Sequence, residues 1–260
     1  MVSLVINTLP TISKVLEQEI QIAQGKGFGS FSTEKEVESA LSFIDVNDSK
    51  KLVVLDIGAN VGDYTAAIIR RVKNLKVYAF EPSSFTFSKL NGKFNKRPEV
   101  ELINSAIGNQ EGKAILWSDK PGSGLASLSH RKLEHFGIEF EENEEITIHR
   151  LESWCTENRV HPDLIKIDVE GHELDVLNSG RSVISNSAVV QFEFGGCNID
   201  TRTFFQDFWH FFNDMGFSLY RITPTGPKKV SRYSEHDETF RTTNYLAINP
   251  KHPIVKPLSR

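Results

Sequence analysis

The feature that most constrains the fold is a short apolar run that ends in an acid and is followed by two glycines. Residues 52–57 have the sequence LVVLDI, and GANVGDYT follows directly. An apolar run of this length, rich in Val and Leu, predicts a strand buried on both faces. Gly58 and Gly62 allow a tight turn, and a helical pattern begins near Tyr64. These residues therefore predict the first strand–turn–helix unit of an open α/β sheet, where ligands bind beyond the carboxyl ends of the strands.

The turn lacks the signals of phosphate-binding loops. No Lys-Ser/Thr pair follows the glycines, and Asn60 stands where a G-x-G-x-x-G pattern needs its second glycine. Asp56 lies in the strand end, where a carboxylate repels a pyrophosphate and suits a cationic or amine-bearing group, such as the methionine end of S-adenosylmethionine (SAM). Glu81 and Pro82 end the next apolar run, at a spacing that lets an acid accept hydrogen bonds from ribose hydroxyls. The pattern predicts a nucleoside ligand that is not a dinucleotide.

Apolar runs and helical patterns alternate along most of the remaining chain. The predicted strands cover residues 76–80, 100–104, 163–168, 188–194, 217–222 and 244–248, and the predicted helices cover residues 64–72, 83–95, 151–160, 172–177 and 203–215. The last two strands are expected to pair antiparallel across a long polar segment. This order predicts a Rossmann-like, doubly wound sheet that is mostly parallel, with an antiparallel last strand.

The N-terminal residues stand outside this alternation. Residues 1–48 carry two helical patterns, the second of them capped by Ser32 or Thr33, and predict a helical extension. The extension is either a packing layer over the sheet edge, or a cap on the substrate side or a dimer surface. Residues 49–260 are then expected to form the catalytic domain.

A second departure is a predicted insertion in the middle of the chain. Residues 113–117 and 145–149 predict two short strands, and the long segment between them is placed to overhang the ligand cleft. It contains the Gly- and Ser-rich stretch 121–128, which we expect to be flexible. The basic stretch 130–132 and the acidic stretch 139–145 are expected to form a solvated face.

Composition narrows the classes of function. A chain of 260 residues with 39% hydrophobic and 25% charged residues is typical of a globular protein, and its net charge of −4 argues against a nucleic-acid partner. Cys155 and Cys197 lie in unrelated segments, which predicts neither a zinc site nor a disulfide framework and fits a reducing compartment. No apolar run approaches the length of a membrane-spanning helix and no basic leader is present, so a cytoplasmic location is expected.

Five segments resemble, in order, the successive blocks of the FkbM-type SAM-dependent methyltransferases. They are VVLDIGANVGDYT, AFEPSSFTF, NSAIGNQEG, LIKIDVEGHELDVLNSG and TTNYLAINP. The first is shared by class I methyltransferases in general, whereas KIDVEGHE is more specific. The resemblance implies the class I methyltransferase fold with SAM as cofactor, and places the adenine beside Ser105 and Ala106. The full set of expected cofactor-binding residues is Asp56, Gly58, Ala59, Asn60, Gly62, Tyr64, Thr65, Glu81, Pro82, Ser105, Ala106 and Asp168.

Ionisable residues gather at the ends of the fourth and fifth strands of the predicted sheet. Asp168, Glu170, His172 and Glu193 are more than a core needs, because a buried carboxylate is costly unless it is paired. A hydroxyl acceptor must lose its proton during methyl transfer, so Glu170 or His172 is the expected base, with Asp168 beside it. Asp168 and Glu193 could hold Mg²⁺, which prefers carboxylate oxygens. The Asp-Val-Glu spacing of residues 168–170 also resembles the acid-x-acid block of macrocin-type, metal-dependent sugar O-methyltransferases.

The expected function is SAM-dependent methylation of a hydroxyl on a sugar, glycan or secondary metabolite, a substrate class that the resemblance implies. One alternative is an N-methyltransferase acting on a small amine. Base-modifying enzymes of that kind carry an Asn/Asp-Pro-Pro-aromatic block, and residues 168–171 lack it. A SAM-binding partner subunit without turnover and a nucleotide-dependent oxidoreductase are further alternatives.

The expected partner is a small-molecule or glycan acceptor, without nucleic acid, and a homodimer stays open. The acceptor pocket is expected to come from residues 1–48, 118–145 and 223–242, with His236 and Arg241 as weak candidates for substrate contact.

Overall fold

A computed structural model describes residues 2–29, 33–46 and 50–257 of the chain. Ser32, one of the two predicted caps, lies outside the described residues. The helices are α1 (Val2–Ala23), α2 (Thr33–Ser42), α3 (Asp63–Arg71), α4 (Ser84–Phe94), α5 (Leu151–Asn158), α6 (Glu173–Asn178), α7 (Arg181–Ser185), α8 (Cys197–Thr201) and α9 (Phe205–Asp214). The strands are β1 (Leu52–Ile57), β2 (Leu75–Phe80), β3 (Val100–Ile103), β4 (Ala106–Gly108), β5 (Gly112–Ser118), β6 (Glu142–Arg150), β7 (Leu164–Ile167), β8 (Val189–Phe194), β9 (Ser218–Thr223), β10 (Gly226–Val230) and β11 (Thr243–Ile248).

Eight strands form the central sheet, in the order β10-β9-β11-β8-β7-β1-β2-β3. Strands β8, β7, β1, β2 and β3 run parallel, whereas β11 is antiparallel to both of its neighbours. The chain continues from β1 to β2 on one side and later returns to β7 on the other side, so the strand order reverses between β1 and β7. Doubly wound sheets bind their ligands at such a switch point. The topology confirms the predicted Rossmann-like class I methyltransferase sheet.

Apolar side chains cover both faces of the sheet. On one face, the ring of Phe192 from β8 stacks on Phe208 of α9 and on Tyr245 of β11, with ring centroids 4.9 Å and 5.4 Å apart. On the other face, Val54 of β1 and Ile68 of α3 are fully buried in a second apolar layer. Burial of each such side chain contributes about 1.5–3 kcal/mol. These two layers hold the strand ends, and therefore the site, in place.

Two strands were missed by the sequence analysis. The polar segment before β11 contains β10, which forms a hairpin with β9 at the edge of the sheet. Its sequence, GPKKV, conceals the strand because Pro and Lys are common devices of edge strands. The second missed strand is the three-residue β4, which pairs in parallel with β6. The predicted insertion itself is confirmed as the β5–β6 hairpin.

The N-terminal extension packs against the sheet through α2. Val37, Ala40 and Ile44 are fully buried in the layer that also contains α3. By contrast, Val15 and Leu16 of α1 are exposed. The division of the chain at residue 48 stays a prediction. No helix within the described residues combines the length and the apolar character needed to cross a membrane.

Candidate active site

The turn after β1 brings the ends of β1 and β7 into direct contact. Gly58 has a φ of +79°, and a Cβ atom there would lie 1.8 Å from the carbonyl oxygen of Asp168. Only glycine fits such an approach. The backbone N–H groups of Gly58 and Ala59 donate to the Phe80 carbonyl oxygen at 3.1 Å and 2.8 Å. The turn is therefore fixed to the ends of both neighbouring strands, β2 and β7.

A cavity of about 710 Å³ that opens to solvent lies over the carboxyl ends of β1, β2 and β7; we call it the cofactor cavity. Seven of the predicted cofactor-binding residues line it, namely Gly58, Asn60, Glu81, Pro82, Ser105, Ala106 and Asp168. Glu170 lines it as well. The loop of the inserted hairpin also forms part of the cavity wall, as expected for a segment that overhangs the cleft. The contributing residues are Gly124, Ala126, Ser127 and Leu128.

The polar groups of this cavity suit a nucleoside. The buried carboxylate of Glu81 accepts hydrogen bonds from the backbone N–H groups of Asn60 and Ser83, both at 2.9 Å. Burial raises the pKa of Glu81 to about 7. The buried hydroxyl oxygen of Ser105 has no hydrogen-bond partner in the described part of the chain. An acid fixed at the end of β2 can accept from ribose hydroxyls, and the free hydroxyl beside Ala106 can bond to a base.

The other five predicted cofactor-binding residues do not line this cavity. Asp56 is fully buried beneath the turn and accepts a hydrogen bond from the Thr65 hydroxyl at 2.6 Å. Neither Asp56 nor Thr65 lines the cofactor cavity, so contact of these two side chains with the cofactor stays a prediction. A Cβ atom at Gly62 would collide with Leu90 and Phe94, so this glycine serves helix packing. The last two of the five, Ala59 and Tyr64, line a second cavity instead.

Lys166 connects the elements of the site. Its Nζ donates to the Gly58 carbonyl oxygen at 2.8 Å and lies 3.2 Å from Asp168 Oδ2 and 3.5 Å from Asp56 Oδ1. Burial alone lowers the pKa of Lys166, but the charges of the carboxylates around it, Asp168 first, outweigh burial and raise it. Lys166 is therefore a cation inside the sheet, and its burial is tolerated because carboxylates pair with it.

Three carboxylates meet at the ends of β7 and β8. Asp168, Glu170 and Glu193 each offer an oxygen atom, and these atoms lie within 4.8 Å of one another. Burial, followed by the charge of Asp168, raises the pKa of Glu170 to about 8, although Arg131 opposes this shift. Burial and the same negative charges hold the pKa of Glu193 well above its ordinary value. The side chain of Glu193 forms no hydrogen bond or ion pair with the described residues. The raised pKa of Glu170 lets the cluster gain and lose a proton close to neutral pH, which suits general acid–base catalysis.

Arg131 corrects the prediction that the charged stretch 130–132 is solvated. It is only 8% exposed, and it pairs with Glu170 at 3.1 Å and with Asp200 at 3.0 Å. The Ser127 hydroxyl also donates to the Glu170 carbonyl oxygen at 2.8 Å. The inserted loop is thus attached to the carboxylate cluster. Glu170 and Asp200, which pair with Arg131, are distant from it in sequence. No local sequence pattern therefore indicates that Arg131 is buried.

His172 does not join the carboxylate cluster. Its Nε2 lies 2.9 Å from the Ser129 hydroxyl and its Nδ1 lies 2.8 Å from Asp175 Oδ2. It lines neither the cofactor cavity nor the second cavity. The turn at Gly171, with a φ of +102°, directs the chain away before α6 begins. The geometry therefore gives no support to His172 as the base.

The second cavity, of about 590 Å³, is polar and lies beside the cofactor cavity; we call it the polar chamber. The two cavities share Gly58, Asn60 and Asp168. Glu36 of α2, Glu193 of β8 and Asn244 of β11 line the chamber. The sequence analysis did not single out Glu36 or Asn244, since each lies in an element whose pattern indicates packing. Of the two weak candidates, Arg241 instead donates to Gln21 of α1 at 2.6 Å, and the His236 carbonyl oxygen accepts from Lys26 at 2.6 Å.

Comparisons with known proteins agree with this architecture. Residues 56–219 match the family described as the methyltransferase FkbM domain. The chain is 25% identical over 154 residues to the 2-O-methyltransferase NoeI of Sinorhizobium fredii (strain NGR234), a match that covers 55% of this chain and 63% of that relative. The match thus spans less than two thirds of the relative's length.

Solved structures also resemble the chain at low identity, and two of them serve as examples. A SAM-dependent methyltransferase from Agrobacterium tumefaciens gives a TM-score of 0.47 and 9% identity, and the likeness covers 86% of this chain and 64% of that one. The fibrillarin pre-rRNA processing protein of Methanococcus jannaschii gives a TM-score of 0.47 and 12% identity. That likeness covers 84% of this chain and 76% of the fibrillarin chain. The fold assignment rests on the strand order of the central sheet and not on the similarity to these two structures. Because the family match extends over residues 56–219, well over half of the chain, this protein belongs to the methyltransferase FkbM family.

Proposed function

We propose that the protein is a SAM-dependent O-methyltransferase that methylates a hydroxyl group of a sugar, glycan or secondary metabolite. The observation that carries the proposal is the position of the carboxylate cluster. Asp168 and Glu170 line the nucleoside-like cofactor cavity, and Asp168 and Glu193 line the polar chamber beside it. Methyl transfer to oxygen needs a base at the boundary between cofactor and acceptor. The relative named a 2-O-methyltransferase supports oxygen as the acceptor atom.

The residues of the cofactor cavity fit SAM, which supplies an electrophilic methyl group on a sulfonium sulfur when it is bound. Glu81 accepts from the ribose hydroxyls, and Ser105 and Ala106 border the adenine. The carboxylate of Asp168 gives the far end of the cavity a negative charge that suits a cation. Each of these groups is held in place before the ligand arrives, so binding needs little reorganisation.

In this proposal Glu170 accepts the proton of the acceptor hydroxyl. Its raised pKa of about 8 brings its proton affinity close to the working pH, which favours general-base catalysis. Arg131 holds one carboxylate oxygen of Glu170 at 3.1 Å and so orients the other. Asp168 keeps the cluster negative and fixes the end of β7 through Lys166.

Mg²⁺ at Asp168 and Glu193 stays a prediction. The oxygen donors of the cluster are of the type that Mg²⁺ prefers. However, Lys166 lies 3.2 Å from Asp168 and Arg131 lies 3.1 Å from Glu170, so two cations of the protein already pair with two of the three carboxylates. We therefore route no step of the reaction through a metal ion. Methyltransferase activity that persists in EDTA would agree with a reaction that needs no metal ion. Activity that is lost in EDTA and restored by Mg²⁺ would show that the carboxylate cluster binds a metal ion.

Calorimetric titration with SAM, S-adenosylhomocysteine (SAH) and NAD⁺ tests the cofactor. We expect micromolar affinity for the two adenosyl ligands, no binding of NAD⁺, and loss of binding in Glu81→Ala. A release assay for SAH with a panel of sugars and other hydroxyl compounds then tests turnover. Absence of adenosyl binding by the wild-type protein would overturn the proposed function. Binding of SAH without turnover on any hydroxyl or amine acceptor would favour the SAM-binding partner subunit.

A further inference from the structure

We propose that Glu173 and Asn198 are positioning residues for methyl transfer, which together hold Glu170 and Glu193 at the separation that the reaction requires. Both residues are fully buried, and neither lines the cofactor cavity or the polar chamber, so they act through the carboxylate cluster and not on a ligand. The inference rests on the proposed function, in which Glu170 is the base.

The backbone of Glu170 has a conformation that a residue with a side chain rarely adopts. Its φ is +53°, in the left-handed region, and Gly171 follows with a φ of +102°. This conformation is unfavourable for any residue other than glycine, and it persists only where the surrounding structure holds it. Strained residues of this kind occur most often at active sites. The contacts that fix this turn therefore determine where the proposed base lies.

The carboxylate of Glu173 supplies the first of these contacts. Its Oε1 accepts from the backbone N–H groups of Val169 and Gly171, the residues on either side of Glu170, at 3.0 Å and 3.1 Å. Glu173 has no cationic partner among the residues that the structure describes. A buried carboxylate is costly unless polar groups compensate it, and here the N–H groups of the turn do so. Glu173 and the turn therefore fix each other.

Asn198 connects Glu173 with the end of β8. Its Oδ1 accepts from the Gly195 N–H at 2.8 Å, and its Nδ2 lies 3.5 Å from Glu173 Oε2. Because Gly195 occupies the amide oxygen, the NH₂ group of Asn198 must face Glu173. Gly195 comes two residues after Glu193. A chain of polar contacts thus runs from the segment beside Glu193 to the turn that carries Glu170.

Helix α8 holds the proposed base by a second, separate route. Asp200 of α8 pairs with Arg131 at 3.0 Å, and Arg131 pairs with Glu170 at 3.1 Å. The turn also packs directly on the start of α8, since a Cβ atom at Gly171 would lie 2.8 Å from the Cys197 carbonyl oxygen. The helix therefore contacts both the backbone beside Glu170 and, through Arg131, its side chain.

The link is needed because the carboxylates that it brings together repel each other. Glu170 and Glu193 lie at the ends of neighbouring parallel strands, and their cluster oxygens are within 4.8 Å. Negative charges this close, in a site partly shielded from water, favour separation of the two strand ends. The contacts through Asn198 and Glu173 oppose that separation. Loss of the link should therefore displace the base without removing any group that touches a ligand.

The first test measures the kinetics of Asn198→Ala in the whole chain. With the hydroxyl acceptor identified by the SAH-release panel, we expect kcat to fall about 10–100-fold, as displacement of a base by about 1 Å predicts. The acceptor KM and the SAH affinity should stay within about threefold of wild type. Thr203→Val is the matched control, because it removes the other hydrogen bond of Asn198 Nδ2, at 2.8 Å, and leaves the contact with Glu173. Its kcat should stay within about twofold.

An exchange of donor and acceptor tests the contact itself. In Glu173→Gln the NH₂ groups of two amides face each other, so kcat should fall as it does in Asn198→Ala. In the double variant Glu173→Gln/Asn198→Asp, the new amide donates to the new carboxylate. We expect kcat of the double variant to return to within about fivefold of wild type. Failure of a folded double variant to recover would overturn the inference.

An NMR titration of Glu170 separates positioning from a merely structural role and needs no acceptor. The signal of its side-chain carboxyl carbon is assigned by its absence in Glu170→Gln. Wild type and Thr203→Val should titrate near pH 8, because burial and the charge of Asp168 raise the pKa of Glu170 to about 8. In Asn198→Ala the carboxylates separate, so the midpoint should fall by about one pH unit or more, a tenfold change in proton affinity. The charged groups around Glu170, none of which this substitution removes, are Asp168, Lys166, Glu173, Glu193 and Arg131.

The outcomes for the inference and for the proposed function are distinct. An unchanged Glu170 titration in folded Asn198→Ala would overturn the inference, and so would equal losses of kcat in Asn198→Ala and Thr203→Val. If Asn198→Ala does not fold, Asn198→Ser takes its place in the titration. A wild-type protein that binds no SAH or methylates no hydroxyl would refute the proposed function. The titration would then still decide whether Asn198 positions Glu170.

Discussion

The Nζ atom of Lys166 donates to the carbonyl oxygen of Gly58 across a distance of 2.8 Å. Gly58 follows β1 and Lys166 belongs to β7, so one buried cation joins the two parallel strands at the switch point of the sheet. The same Nζ pairs with Asp168, which lines both cavities. The backbone of the glycine turn and the carboxylate at the cavity boundary are therefore positioned by a single side chain.

Replacement of Lys166 should destabilise the protein strongly. Lys166→Met leaves Asp56 buried beside an apolar group, and removal of one partner from a buried pair costs about 3–5 kcal/mol. The free energy of unfolding from chemical denaturation measures this loss. Lys93→Met is the control, because its pair with Asp63 is exposed and such pairs contribute only about 0–1 kcal/mol. Equal effects of the two substitutions would contradict the role given to Lys166.

Gly58 should not tolerate a side chain. In Gly58→Ala the new Cβ would lie 1.8 Å from the Asp168 carbonyl oxygen, so β1 and β7 must separate. We expect a loss of more than about 3 kcal/mol in unfolding free energy, together with loss of SAH binding. Gly92→Ala on helix α4 is the control. A Cβ atom at this position meets no neighbouring atom within 4 Å, so the variant should be more stable than wild type by about 0.5–1 kcal/mol. A Gly58→Ala protein of normal stability would show that the turn has been misassigned.

Affinity for SAH should fall as the pH is lowered through about 7. Burial raises the pKa of Glu81 to about 7, so the carboxylate is ionised above this pH and protonated below it. The ionised form accepts from the ribose hydroxyls. We therefore expect affinity to be greatest above pH 8 and to weaken up to about tenfold per pH unit well below 7. Calorimetry between pH 5.5 and pH 8.5 (a range chosen to bracket this pKa) checks the slope. Glu81→Gln should bind more weakly, with a flatter pH profile.

Glu170 and His172 should differ sharply in their effect on turnover. Glu170→Gln removes the proposed base, and we expect kcat to fall about 10²–10⁴-fold while SAH affinity stays within a few-fold. His172→Ala should keep kcat within about fivefold, because His172 contacts Ser129 and Asp175 and lies outside both cavities. Initial rates of SAH formation with a saturating acceptor provide the measurement. The reverse ranking of the two variants would restore His172 as the base.

The pH dependence of turnover gives an independent check on Glu170. Since burial and Asp168 raise the pKa of Glu170 to about 8, its basic form increases as the pH rises through that value. kcat should therefore rise between pH 6.5 and pH 9 (again chosen to bracket the pKa) and then level off. Removal of the opposing cation in Arg131→Met should move the midpoint to higher pH. A midpoint that does not move, in a folded Arg131→Met protein, would contradict the pairing.

The local features of the cofactor cavity were predictable from the sequence. An apolar run, a glycine turn and an acid after the next strand are each encoded by neighbouring residues, and the strand period of two fixes which positions face the same side. Gly58 and Glu81 were identified in this way. The sequence pattern does not decide whether the Asp56 side chain points into the cavity or into the protein, because its strand is buried on both faces; in the structure Asp56 is fully buried.

The sequence by itself determined the sheet, its switch point and the family, because hydrophobic periodicity and turn chemistry act over a few residues. Only the tertiary structure decided which polar groups meet. Glu36, Glu193 and Asn244 come from α2, β8 and β11, and Arg131 reaches Glu170 from an inserted hairpin. No local pattern encodes these encounters, because they depend on how distant segments close over the strand ends. The glycine turn and the acid after β2 were therefore predictable from the sequence, whereas the contacts between these distant residues exist only once the chain has folded.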